Sequence, residues 1–140
     1  MIRFHYAYPS FKVNQATKVK AWLNSVAKSE DKNIDQLEFH FVDDEALLDI
    51  NRQSLNHDYY TDIITFPYAY EPISGELFIS IDRIRDHAAQ YKVTPQQELL
   101  RVMVHGVLHL CGYDDKAGKH KKQMTVKEDF YLARLEMTAF

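Results

Sequence analysis

The chain of 140 residues holds one cysteine, one tryptophan, four glycines and four prolines. A single cysteine closes no internal disulfide, so the fold must rest on its apolar core, as suits a reducing compartment. Scarce glycine and proline, with 46% hydrophobic residues, exclude a collagenous or low-complexity chain and indicate a compact globular one. No apolar run approaches membrane-spanning length, and the opening MIRFHYAYPS lacks the apolar centre of a signal peptide, so a cytoplasmic protein with no membrane partner is expected. An excess of positive charge is missing too: 17 basic against 20 acidic residues leave a net charge of −3, and no global basic footprint for nucleic acid. The length suits one domain over residues 1–140, large enough to bury a core unaided.

Hydrophobic periodicity orders the elements. Ile2 to Ala7 has strand character, and Ala16, Val19, Trp22, Leu23 and Val26 recur at helical spacing within a helix from about Asn14 to Ser29. Leu37 to Val42 alternates as a second strand, and Asp43 caps a helix running to about Leu55. The β-branched run Asp62 to Phe66 predicts a central strand ended by Pro67, and Glu76 to Ile81 a fourth strand, antiparallel to it. Asp82 to Tyr91 turns helical. Thr94, Pro95 and Gln97 then form a capping-box start, and a last helix is expected over Lys119 to Thr138. The order βαβαββααα implies an α+β fold: a four-stranded mixed sheet, its first strands parallel, packed with about five helices.

The densest chemistry lies in HGVLHLCGYDD, His105 to Asp115. Histidines at i and i+4 lie about 40° apart around a helix axis, so both imidazoles can face one cation. Two histidines at this spacing also occur on ordinary apolar helices. Here, however, Glu98, Arg101, His109 and Gly112 all fall within about 40° of His105, a polar stripe on an otherwise apolar helix. Gly112 offers a left-handed stop that turns the chain back toward that face. A catalytic zinc takes three protein ligands and keeps one position exchangeable. His105 and His109 supply two; the third is Asp115, His120 or Asp114, in that order of preference, which puts the site on a helix and the loop after it. Cys111 falls about 240° from His105 and is expected in the core. Zinc peptidases of the HExxH type carry a glutamate general base directly after the first histidine, and here that residue is Gly106.

These residues resemble the YbeY family of bacterial metal-dependent endoribonucleases. HGVLHLCGYDD is similar to its HGxLHLxGYDH signature; Asn51, Asp58 and Thr61 to Pro67 (TDIITFP) are similar to its N…D.PTDVLSFP segment; and Gly75, Glu76 and LFIS are similar to its GDIxIS strand. The resemblance implies a zinc-dependent enzyme, other divalent metals being possible, that cuts single-stranded RNA in ribosomal RNA processing and ribosome maturation. Its partners would be ribosomal RNA or its precursor, with ribosomal or assembly proteins as further candidates. The metal set it implies is His105, His109 and Asp115.

Two departures fall in the site. Asp115 stands where the family has a third histidine, lowering the formal charge around a bound metal by about one unit, which makes its water less acidic and harder metals such as Mn²⁺ more acceptable. Leu55 stands where the family has an arginine with a role in RNA cleavage. Arg52, one helical turn earlier, is the candidate replacement, with His57 as the other. His105, His109 and Arg52 therefore form the expected catalytic set. The basic run beginning at Lys116, Lys119 and Lys121 could hold flanking phosphates, and Tyr59, Tyr68 and Tyr70 could stack bases, Tyr59 foremost. Glu98 and Arg101 either orient the metal ligands or form a helix-surface salt bridge. Two other functions fit parts of the pattern: a metallopeptidase-like hydrolase, weakened by Gly106, and a ribosome-assembly factor whose metal is structural, which requires Asp115 and His120 together as ligands.

Overall fold

A computed structural model of the protein describes residues 1–135. The elements run β1 (Ile2–Tyr6), α1 (Ala16–Ser29), β2 (Ile34–Val42), α2 (Asp44–Leu55), β3 (Ile63–Tyr70), β4 (Ile73–Ser80), α3 (Ile81–Tyr91), α4 (Pro95–Leu110) and α5 (Gly118–Arg134). They form the expected α+β architecture of one mixed sheet and five helices. The strand order is β1-β2-β4-β3, with β1 and β4 both parallel to β2, and β3 antiparallel to β4.

Side-chain alternation gives the sheet one face on the main core and a second that α2 covers over β3 and β4, where Arg3 and His5 of β1 remain exposed. Leu37, Phe39, Phe41, Leu77 and Ile79 join the main core, where Phe39 sits opposite Leu77 and Phe41 opposite Ile79. On the other face Val42 and Ile64 pack with Leu47 of α2, flanked by Phe66 and Phe78. The main face is covered by α4, which is buried along most of its length and touches α1, α3, α5 and β3. Its start is the predicted capping box: the Gln97 backbone N–H donates to Thr94 Oγ1 at 3.1 Å, and the Thr94 N–H donates to Gln97 Oε1 at 2.9 Å, with Pro95 at the first helical position. Among the described residues no helix is long and apolar enough to cross a membrane.

The β3–β4 hairpin departs from expectation. The strand expected over Asp62 to Phe66 begins at Ile63 and lies at the sheet edge, not its centre, and Pro67 sits within β3 instead of ending it. An edge strand tolerates a missing N–H, and the register shifts between Pro67 and Ala69. Glu71 and Pro72 alone separate the strands, so β4 starts at Ile73, earlier than Glu76. Gly75 is required there: a Cβ would lie 2.7 Å from the Phe66 carbonyl oxygen on the neighbouring strand. The last helix opens at Gly118 and closes at Arg134, short of the expected end at Thr138, which lies outside the described residues.

Candidate metal centre

His105 and His109 leave α4 on the side that faces an open cavity of about 500 Å³. Their Nε2 atoms approach to 3.0 Å, and the Asp115 carboxylate completes a triangle, 3.3 Å from His105 Nε2 and 3.6 Å from His109 Nε2. The loop that carries Asp115 is set by the end of the helix. Gly112 takes φ 107°, its N–H donates to the His109 carbonyl at 3.0 Å, and the Tyr113 N–H donates to the Leu108 carbonyl at 3.1 Å. This is the left-handed stop predicted from sequence.

Both rings are oriented from behind. His109 Nδ1–H donates to the Tyr113 carbonyl at 2.9 Å, and His105 Nδ1–H donates to Glu128 Oε2 at 2.6 Å. With the Nδ1 protons so engaged, both Nε2 lone pairs point into the triangle, a repulsion relieved by a cation or by a proton between them. The donor set fits a divalent metal. Three donors about 2.1 Å from a tetrahedral ion lie about 3.4 Å apart, and the observed separations of 3.0, 3.3 and 3.6 Å bracket that spacing. Without the ion the two rings titrate apart. Burial works against the charged form of His105, but the Glu128 hydrogen bond and charge outweigh it and raise its pKa; burial and the neighbouring His105 lower that of His109.

Glu128 is the residue that sequence reasoning missed. It lies on α5, 23 positions from His105, and no local pattern links the two. Arg101 acts through it, donating to Glu128 Oε1 at 3.0 Å and to Asp129 at 2.7 Å, so the predicted stripe residue supports the centre indirectly. Glu98 contacts neither ligand candidate and faces His87 instead. Glu30, at the end of α1, is a second hidden support. It accepts hydrogen bonds from Tyr113 Oη at 2.6 Å, Lys127 Nζ at 3.2 Å and Tyr131 Oη, tying the Asp115 loop and α5 to α1.

The other predicted residues divide. His120 and Asp114 pair with each other at 2.8 Å, apart from the triangle. Lys121 lines an adjoining cavity that shares His105 and Asp115; Lys116 and Lys119 line neither cavity and stand exposed at the end of the loop and the start of α5. Tyr59 lines the main cavity, its ring stacked on His57 and its hydroxyl 2.9 Å from His57 Nδ1. The loop beneath them is pinned by buried Asn51, whose Nδ2 donates to the Tyr59 carbonyl at 2.9 Å. Leu55 and His57 face the cavity, whereas Arg52 turns away to Asp58 at 2.5 Å. Cys111 closes α4 packed against the core, with burial pushing its thiol up to about 11, so it offers no thiolate ligand. A Cβ on Gly106 would meet Leu77 Cδ2 at 2.4 Å and Ile63 Cδ1 at 3.0 Å. A glutamate, as in HExxH peptidases, has no room against the sheet.

A mixed sheet carrying a His₂–carboxylate triangle, built from one helix and the loop after it, at the base of an open cavity defines the class: a metal-centred hydrolase. The family model described as endoribonuclease YbeY matches residues 5–136. Among relatives, a protein of Cytophaga hutchinsonii named endoribonuclease YbeY is 46% identical over 88% of this chain and 87% of its own length. One of Flavobacterium psychrophilum with the same name is 45% identical over 92% of each. The solution structure of a Thermotoga maritima protein superposes with a TM-score of 0.72 at 29% identity, covering 96% of this chain and 89% of that one. The chain belongs to the endoribonuclease YbeY family, a family of metal-dependent nucleases.

Proposed function

We propose that this protein, as one domain over residues 1–140, is a metal-dependent endoribonuclease that cuts single-stranded RNA in ribosomal RNA processing and ribosome maturation. The observation that carries this reading is the triangle of His105, His109 and Asp115 open to the cavity, within a chain of this family. These three residues would hold one divalent ion, and two imidazole nitrogens among three donors favour Zn²⁺. Such an ion supplies Lewis-acid polarisation of a phosphoryl oxygen and acidifies water.

The chain's own residues supply the rest. Glu128 and the Tyr113 carbonyl keep protons on the Nδ1 atoms, leaving Nε2 of each ring for the metal. Tyr59 and Tyr70, each more than half exposed on the cavity wall, offer ring faces to unpaired bases. Lys121 offers charge to a neighbouring phosphate, and His57 stands beside Leu55, where the family's arginine is absent. Arg52 reaches a phosphate only by leaving Asp58, and Lys116 and Lys119, exposed outside both cavities, would meet only phosphates that flank the site. Ribosomal RNA or its precursor is the substrate, in the cytoplasm, with ribosomal or assembly proteins nearby.

The structural-metal reading needs a fourth protein ligand, and its candidate His120 is engaged by Asp114. Metal analysis paired with cleavage of precursor ribosomal RNA tests the proposal. His109→Ala should lose bound metal and about a thousandfold in cleavage rate. Undiminished cleavage by that variant would place the nuclease elsewhere.

A further inference from the structure

A second group of ligand-type side chains lies behind the first. Asp62 immediately precedes β3, His87 belongs to α3 and Glu98 to the first turn of α4, so three separate elements bring them together. His87 Nδ1 stands 3.8 Å from Asp62 Oδ2 and 3.9 Å from Glu98 Oε2. The Asp62 backbone is fixed by the Ser80 N–H, which donates to its carbonyl at 2.9 Å. Asp62 and Glu98 both line the adjoining cavity of about 340 Å³ that also reaches His105 and Asp115.

The separations distinguish this group from an ordinary ion pair. Elsewhere, histidines that share a proton with a carboxylate close onto it: His5 with Glu38 at 2.7 Å, His40 with Glu76 at 2.6 Å, His105 with Glu128 at 2.6 Å and His120 with Asp114 at 2.8 Å. Only where several donors surround a common point do the distances open, as in the triangle of His105, His109 and Asp115 and again around His87. Glu98 is only 5% exposed, and among the described residues no hydrogen bond reaches its carboxylate. Burial raises its pKa, a penalty that a cation beside it would offset. A buried carboxylate, an imidazole and a second carboxylate thus present donor atoms within 4.8 Å of one another.

We propose that Asp62, His87 and Glu98 form a second divalent-cation site, distinct from the histidine pair and selective for a larger, harder ion such as Mn²⁺. Two carboxylates neutralise a dication and favour oxygen-loving metals, while one imidazole keeps the site within reach of Mn²⁺. The separations of 3.8 and 3.9 Å fall between the cis and trans spacings of about 3.1 and 4.4 Å that donors about 2.2 Å from an octahedral ion would have. Because both groups open to one cavity, the second ion would place positive charge beside the path of the phosphate chain. The site stands on its own residues and holds whether or not the first centre is catalytic.

The test is a Mn²⁺ titration of the full chain supplied beforehand with one equivalent of Zn²⁺, free Mn²⁺ being counted by its paramagnetic resonance signal. Wild type should take up about one Mn²⁺ per chain, and Glu98→Gln should weaken that uptake about tenfold or more. His87→Ala, at a helix position where the side chain is 27% exposed and outside the core clusters, should do the same and decides the matter if the buried variant fails to fold. His109→Ala should retain the Mn²⁺ site. No uptake by wild type, or unchanged uptake by His87→Ala, overturns the proposal. Loss of Mn²⁺ from His109→Ala with retention in Glu98→Gln would assign the ion to the histidine centre, overturning this site and leaving the metal-centre reading intact.

Discussion

The floor and the rim of the main cavity are built in opposite ways. The floor is α4, whose residues on either side of His105 and His109 are buried against the sheet and three helices. Each metal-facing ring is held from behind, one by Glu128 and one by a backbone carbonyl. The rim is the end of α2, the segment 56–62 and the end of β3, where Leu55, Tyr59 and Tyr70 stand 42%, 55% and 54% exposed. It is held by exposed side-chain contacts, the stacked Tyr59 and His57 rings, Arg52 on Asp58 and Tyr60 on Glu45, with the buried Asn51 anchor beneath. A metal must be met to within tenths of an ångström, so its ligands need a packed element and a second layer of hydrogen bonds. A flexible single strand needs ring faces and charge that can adjust to it, which exposed loop side chains supply.

The sharpest way to break this contrast is at Asp115, the one ligand candidate carried by a loop. Asp115→Ala should weaken metal binding by about a hundredfold or more, while Lys116→Ala, one residue along the same loop, leaves it unchanged. Equal metal content in the two variants would remove Asp115 from the centre.

Glu30 probes the support beneath that loop. Burial by itself would raise its pKa, but hydrogen bonds from Tyr113, Tyr131 and Lys127 outweigh that and lower it. A lowered folded-state pKa means the charged form stabilises the fold above the unfolded value, and that this contribution disappears as pH falls through the folded one. Glu30→Gln should therefore cost about 2 kcal/mol near neutral pH in urea denaturation. The difference from wild type should shrink in acid, below about pH 4. A pH-independent difference would mean that packing, not charge, is what Glu30 contributes.

The smallest effect belongs to the rim. Tyr59→Ala should weaken binding of a single-stranded oligoribonucleotide by about 1 kcal/mol, the low end for one stacked base, without changing metal content. Fluorescence anisotropy measures the first and metal analysis the second. A variant that binds RNA normally but loses metal would reverse the division between floor and rim.

Legibility followed the same divide. The helix that bears His105 and His109, its capping box, the Gly112 stop and the third position at Asp115 are all local patterns, and the structure brings them together as their spacing implies. Glu128 and Glu30 were invisible because each reaches its partner across a long separation, from a helix with no distinguishing motif. Arg52 shows the limit of periodicity. It lies one turn from Leu55, yet its guanidinium finds Asp58 in the following loop and turns from the cavity. The hairpin departs from its local pattern for a related reason. Pro67 ends a central strand but not an edge strand, and edge position is a property of the sheet.

The amino-acid sequence by itself determined the order of elements, the α+β class, the two helical histidines and the exclusion of a peptidase glutamate. All of these follow from spacing and residue type along a few turns of chain. Only the tertiary structure decided which carboxylates hold the histidines, that Gly106 must be small because Leu77 and Ile63 press against it, and that Asp62, His87 and Glu98 converge. Those are meetings between separate elements, fixed by how the sheet and α3, α4 and α5 pack, and no local pattern encodes them.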